Sequence, residues 1–255
     1  YLDSATRAIS ELKKAGLSPE DFRDVIALNE EAYGVLNPLI DRVFAGRVSK
    51  QTAGDIRQAL GELAAGDPGS PYPGVSSVLK VLGESLSGLL SELAGGTNTP
   101  ASKWKTKHTE EAADGTRIHK SSGHTEKLLA LADLYKSYQD RIHQMMYYDY
   151  DDMILETIKV LEENPQLARR IRGRYEYILV DEFQDTNGAQ MKLLRLVAGE
   201  GKDGKGPNLM VVGDDDQSIY KFQGAELANI LEFTETYPDA EIITITSNYR
   251  STEDV

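Results

Sequence analysis

Tyr175-Glu176-Tyr177-Ile178-Leu179-Val180-Asp181-Glu182-Phe183-Gln184-Asp185-Thr186-Asn187 runs from an apolar stretch straight into a dense polar cluster. The apolar part is short and bounded by polar residues, as in a strand buried on both faces. Two further stretches repeat the pattern. Leu209-Met210-Val211-Val212 leads into Gly213-Asp214-Asp215-Asp216-Gln217-Ser218-Ile219-Tyr220, and Ile242-Ile243-Thr244-Ile245 leads into Ser247-Asn248-Tyr249-Arg250-Ser251. Helical patterns at 190–197 and 225–236 lie between these runs. Strands alternating with helices predict a parallel sheet and an α/β fold. In open sheets of this kind ligands bind just beyond the carboxyl ends of the strands, so three polar clusters on one edge define a single candidate site.

Working outward, the N-terminal half reads as helices. Leu2, Ala5, Ile9 and Leu12 recur at helical spacing and Gly16 closes the run. Ser18-Pro19-Glu20-Asp21 has the form of a helix start, with a cap, a first-turn proline and an acid at the third position. Breaks fall at 66–71 and 95–100, and between them Val75, Val78, Leu79, Leu82, Leu86, Leu89, Leu90 and Leu93 mark an amphipathic helix. Residues 101–123 are polar and irregular, a loop or a small hairpin, and a long helix follows from about 126 to 146. The division expected is a helical subdomain over 1–144 and an α/β part over 145–255.

Composition narrows the class. With 255 residues, 40% hydrophobic and 27% charged, the chain has the make-up of a soluble globular protein. No apolar run approaches the roughly 18 residues of a membrane span, and no signal peptide opens it. The absence of cysteine excludes disulfides and thiolate metal sites and fits a reducing cytoplasm. A net charge of −13 argues against a surface that clamps nucleic acid everywhere, so any DNA contact falls to a local patch. The chain starts at Tyr1 and stops just after a motif, and it reads as an excerpt of something longer.

A strand ending in paired acids suits a Mg²⁺-nucleotide site, with one carboxylate on the metal and the next on the attacking water. Asp181-Glu182 by itself reads equally well as two solvated acids at a strand end. The longer string is more specific. Val180-Asp181-Glu182-Phe183-Gln184-Asp185-Thr186-Asn187 resembles motif II of the UvrD/Rep/PcrA family of superfamily 1 helicases. The stretch from Gly213 to Ala225 resembles the family's motif III, and Asn248-Tyr249-Arg250-Ser251-Thr252 its motif IV. Tyr148-Asp149-Tyr150-Asp151-Asp152-Met153-Ile154 resembles a short acidic helix start carried upstream. The motifs come in the family's order and at its approximate spacing.

That resemblance implies a partial RecA-like P-loop NTPase sheet with a large, mostly helical inserted subdomain, ATP and Mg²⁺ as cofactors, and single-stranded and forked DNA as partners. By residue it implies that Asp181 serves the metal and that Glu182 activates the hydrolytic water. Gln217 would sense the γ-phosphate, Arg250 would stabilise its charge in the transition state, and Tyr249 would stack on adenine. Gln184 and Asp185 fall in the surrounding hydrogen-bonding shell. Tyr220 and Phe222 would stack on single-stranded DNA, a sequence-tolerant grip suited to a translocating motor; the other reading of both rings is core packing. Many members carry Trp where Phe222 stands and Arg where Gln223 stands. Phe stacks with less area, and Gln223 supplies no cation.

Asp149 followed by Asp151 and Asp152 is read as a helix cap with acids in the first turn, without catalytic role. Lys103, Trp104, Lys105, Lys107, Arg117, Lys120 and Lys127 could meet phosphates and a base, or form a plain solvated loop diluted by Glu110, Glu111, Asp114 and Glu126. His108, His119 and His124 lack metal spacing. The family also needs a phosphate-cradling loop, G-x-x-x-x-G-K-[ST]. Gly199-Glu200-Gly201-Lys202-Asp203-Gly204-Lys205-Gly206 nearly fits, but ends in Gly206 and sits after a helix, so it reads as a surface connection. The resemblance places the true loop upstream, with the rest of the helicase polypeptide as a partner, and implies no ATPase activity for this stretch alone. The expected function is that of a 3′-to-5′ DNA translocase motor. The alternatives are the motor of a helicase–nuclease and a non-hydrolysing DNA-binding scaffold.

Overall fold

The computed structural model describes residues 2–67, 69–72, 75–199, 206–214, 233–234 and 236–247. Its N-terminal half is helical, as the periodicity predicts: α1 (Leu2–Lys14), α2 (Pro19–Phe44), α3 (Thr52–Gly66), α4 (Val78–Leu93), α5 (Thr99–His108) and α6 (Thr125–Gln144). Gly16, at φ +77°, takes the left-handed conformation that ends α1. Ser18 and Asp21 exchange hydrogen bonds as a capping box that starts α2. The stretch 101–123, expected as a loop or hairpin, proves to be both helix and hairpin. Pro100 stands in the first turn of α5, and strands β1 (Thr109–Glu111) and β2 (Arg117–His119) then pair antiparallel. The helix escapes sequence reading because α5 buries only Ala101 and Trp104, which leaves almost no apolar stripe.

Helices α2, α3, α4 and α5 enclose the main core. Leu36, Ile40 and Phe44 of α2 meet Ile56 and Leu63 of α3 and Leu79, Leu82, Leu86 and Leu89 of α4. Trp104 closes it, stacked 4.9 Å from Phe44 with its indole N–H donated to Ser85 Oγ at 2.9 Å. The stack continues through His108, 4.8 Å from Trp104, to His119 and Tyr33. Burial holds the His108 imidazole below its usual value of 6.5, aided by the cations of Lys107 and Lys120; burial and then His108 do the same for His119. Both rings therefore bind protons more readily when unfolded. Their contribution to stability is present above about pH 6.5 and is lost as pH falls below it. Trp104 is the chain's one tryptophan. Its fluorescence is expected to change on acidification with a midpoint below 6.5, and His108→Phe is expected to remove most of that change.

The α/β part begins with α7 (Tyr150–Glu163) and α8 (Pro165–Arg172), followed by β3 (Ile178–Val180), α9 (Gly188–Ala198) and β4 (Leu209–Val211). Strands β3 and β4 pair in parallel with Ile178 opposite Leu209, and α9 connects them. This is the predicted strand–helix–strand unit at its predicted places. The third strand, expected at 242–245, is not formed. Residues 241–247 carry no regular structure, and Ile242, Ile243 and Ile245 are each more than three-quarters exposed. A strand exists only through hydrogen bonds to a neighbour, and among the described residues β3 and β4 pair with each other alone. The apolar run identified a segment suited to burial in a sheet without supplying its partner. Leu179 and Met210, at 73% and 56% exposure, likewise leave one face of the pair uncovered. Of the helix expected at 225–236, residues 233, 234 and 236 are helical and the others lie outside the described residues.

Helix α1 joins the two halves through a buried ion cluster. Lys13 Nζ lies 2.5 Å from Asp149 Oδ2 and 2.7 Å from Asp152 Oδ1, with the Lys13 and Asp152 side chains wholly inaccessible. Gln139 Nε2 donates to Asp152 Oδ1 at 2.6 Å, Tyr138 OH to Asp149 Oδ2 at 3.0 Å, and Ser10 Oγ to Asp151 Oδ2 at 2.9 Å. The ammonium also lies 4.9 Å from the Tyr138 ring centroid. Asp149 and Asp152 cap α7 reciprocally, as the sequence suggests. The same two carboxylates thus serve a helix start and a buried cation.

Candidate nucleotide site

At the carboxyl end of β3 the chain stays registered with its neighbour for one more step on each side. Val212 N–H donates to Val180 O at 2.8 Å and Phe183 N–H to Val212 O at 2.9 Å. Asp181 and Glu182 stand between those bonds, both exposed. Glu182 adopts φ 50°, ψ 43°, the left-handed region that a non-glycine residue enters at a cost of about 1–2 kcal/mol. Strain of this kind gathers at functional sites, where surrounding structure over-determines it.

The surroundings that hold this turn are plain. Residues Phe183–Asp185 form one 3₁₀ turn, with Asp185 N–H bonded to Glu182 O. The Phe183 ring is buried and meets Phe233 edge-on at 5.4 Å. Asn187 then caps α9 in a reciprocal box with Gln190. The start of α9 abuts the end of α1, for a Cβ on Gly188 would lie 3.1 Å from Ala15 O. Glycine is needed there for close approach.

Within the turn the polar atoms are shared out. Asp181 Oδ1 accepts the Glu182 N–H at 2.9 Å. Gln184 Nε2 donates to Glu182 Oε2 at 2.6 Å, and Gln184 Oε1 accepts the Asp214 N–H at 3.0 Å. Asp185 Oδ1 is buried with no hydrogen-bond donor reaching it among the described residues. Asp181, Glu182, Gln184 and Asp185 are therefore brought together at the ends of two adjacent parallel strands. Gln217, Tyr220, Phe222, Tyr249 and Arg250, the other residues singled out in the sequence, lie outside the described residues.

The acidic residues offer oxygen donors only, which suits Mg²⁺ rather than a softer metal. Among the described residues no group of three or more His, Cys, Asp or Glu is poised around a metal position. The residues missed by sequence reading are Lys13 and the burial of its carboxylates. A signal was present, since Lys13 follows Ile9 by four positions and so lies on the buried stripe of α1. Among the described residues no helix is long and apolar enough to cross a membrane.

A family model described as the UvrD/REP helicase N-terminal domain matches residues 5–238. The chain is 48% identical over 128 residues to the ATP-dependent DNA helicase UvrD1 of Mycobacterium tuberculosis, a match of 49% of this chain and 17% of that protein. It is 44% identical over 125 residues to the ATP-dependent DNA helicase PcrA of Staphylococcus epidermidis, covering 49% and 16%. With UvrD1 of Mycobacterium leprae it shares 40% identity over 148 residues, covering 56% and 19%. The matched stretch thus spans less than one-fifth of each of these relatives.

Proposed function

The chain belongs to the UvrD/REP helicase N-terminal domain family, and from that membership we propose that it forms part of the first motor domain of an ATP-dependent DNA helicase that moves 3′ to 5′ on single-stranded DNA. The observation carrying this reading is the meeting of Asp181, a left-handed Glu182 and Gln184 at the ends of paired parallel strands. In this proposal β3 and β4 belong to a larger RecA-like parallel sheet, and its helices cover the face that carries Leu179 and Met210. Residues 1–144 are assigned to the inserted helical subdomain and 145–255 to the motor.

Asp181 would hold Mg²⁺, which supplies charge neutralisation for the ATP phosphates. Asp185, whose buried Oδ1 meets no donor among the described residues, would accept one from the same shell. Glu182 orients and deprotonates the attacking water. Gln217 and Arg250 would contact the γ-phosphate, Tyr249 the adenine, and Tyr220 and Phe222 the DNA bases.

The test is ATP hydrolysis by the complete polypeptide, with and without single-stranded DNA. The reading expects turnover that rises with DNA. A folded complete protein that binds DNA and never hydrolyses ATP favours the scaffold alternative. The isolated 255-residue chain, which holds no G-x-x-x-x-G-K-[ST] string, is expected to show no turnover.

A further inference from the structure

Gln184 does more than fill space between two strands. The residue is 3% exposed, so both ends of its carboxamide must find partners inside the protein. The NH₂ end donates to the Glu182 carboxylate at 2.6 Å, a short bond of the charge-assisted kind. The carbonyl end accepts the Asp214 N–H at 3.0 Å. These partners sit at the exits of different strands, β3 and β4. One rigid, planar group therefore spans the gap between the first polar cluster and the second.

The local sequence is built to admit that group. A Cβ on Gly213 would lie 2.9 Å from Gln184 Oε1 and 3.2 Å from its backbone nitrogen, so a larger residue would displace the amide. The 3₁₀ turn and the buried Phe183 fix the Gln184 backbone from the other side. The left-handed backbone of Glu182 belongs to the same turn, two residues before the amide that grips its carboxylate.

Resting on the reading that Glu182 activates the hydrolytic water, we propose that Gln184 is a positioning residue that ties the orientation of the Glu182 carboxylate to the backbone at the end of β4. A shift of the chain at Asp214 would break or bend one end of the amide and release the other. Asp214 opens the cluster whose later residues are assigned to the γ-phosphate and to DNA. Gln184 is thereby a direct route by which a change in that cluster alters water activation. The energetic scale is adequate, because a displacement of about 1 Å in a reacting group costs on the order of 10²-fold in rate.

Two substitutions in the complete polypeptide separate this role from packing. Gln184→Glu keeps the shape and the acceptor for Asp214 N–H, but turns an oxygen toward Glu182 in place of the donor. It is expected to lower the DNA-stimulated kcat about 10–100-fold, with the affinity for a non-hydrolysable ATP analogue and Mg²⁺ unchanged within about threefold. Gly213→Ala leaves both side chains chemically intact and pushes on the Asp214 end. It is expected to lower the ratio of DNA-stimulated to basal turnover about tenfold. A purely structural Gln184 predicts that the isosteric Gln184→Glu keeps kcat within twofold, and that result overturns the proposal, as does an unchanged stimulation ratio in Gly213→Ala. A Glu182→Gln control distinguishes the two levels. If that variant still turns over ATP, the reading of the site itself fails; if it is inactive while Gln184→Glu is normal, only the tie fails.

Discussion

Glu182→Gln is expected to lower DNA-stimulated ATP hydrolysis by the complete polypeptide by about two to four orders of magnitude, the usual weight of a general base. Nucleotide affinity is expected to stay within about threefold, because the amide has the shape of the carboxylate and lacks only the capacity to take a proton. The fold has little at stake. Glu182 is exposed, and the side-chain hydrogen bond it accepts from Gln184 Nε2 can still be accepted by an amide oxygen, without the charge. Glutamine meets the left-handed backbone at this position with the same steric cost as glutamate. Steady-state turnover beside equilibrium binding of a fluorescent ATP analogue makes the comparison. Wild-type turnover in the variant would remove Glu182 from the chemistry; joint loss of binding and turnover would make it a binding residue instead.

Lys13→Ala is expected to have the largest effect on stability, about 3–5 kcal/mol, because it leaves a wholly buried Asp152 carboxylate without its cation. For a domain of this size that is a fall in melting temperature of about 10 °C or more. The loss belongs to the orphaned charge rather than to the pair's net worth. Lys13→Met combined with Asp152→Leu is therefore expected to recover a good part of it, although Asp149 keeps Tyr138 as a donor and loses a cation. A double variant no more stable than Lys13→Ala would argue against that partition. Acid should expose the same cluster. Burial pushes the Asp149 carboxyl up, but hydrogen bonds from Lys13 and the Asp152 backbone and the Lys13 charge outweigh it and hold the group below its usual 3.8. Its contribution is therefore present above about pH 3.8 and lost as pH falls below. Acid unfolding should come in two stages, with Trp104 responding before the Lys13 cluster yields.

The long helices were legible because each carries its own instructions, which the short α5, with only Ala101 and Trp104 buried, does not. Ile9, Leu12 and Gly16 define α1, Ser18 and Asp21 start α2, and Leu79, Leu82, Leu86 and Leu89 line α4. Strand β3 and its polar exit were legible for a similar reason, since the apolar run and the acids are contiguous. Long-range pairing was not. Nothing in Ile242-Ile243-Thr244-Ile245 says which strand would receive it, and among the described residues none does. The role of Asp149 as a cap is local and could be read, whereas its ion pair with Lys13 joins residues 136 positions apart. The same distinction divides the site. Asp181 and Glu182 announce themselves as strand-end acids, but the bond that Gln184 Oε1 accepts from the Asp214 N–H depends on the register of β3 against β4.

The Lys13 cluster ties the end of α1 to the start of α7, with helices α2 to α6 between them in the chain. Residues 10 and 13 stand at the exit, 149–152 at the re-entry, and the Tyr135 hydroxyl bonds Leu17 O between them. An excursion whose two ends are pinned side by side makes small demands on the framework that bears it, which is the condition under which segments are inserted into folds without upsetting them. Helices α2 to α6 lie between two points of the chain that this cluster pins together. A longer or shorter excursion between those two points would leave the ion cluster and the strand-end turn beyond it in place.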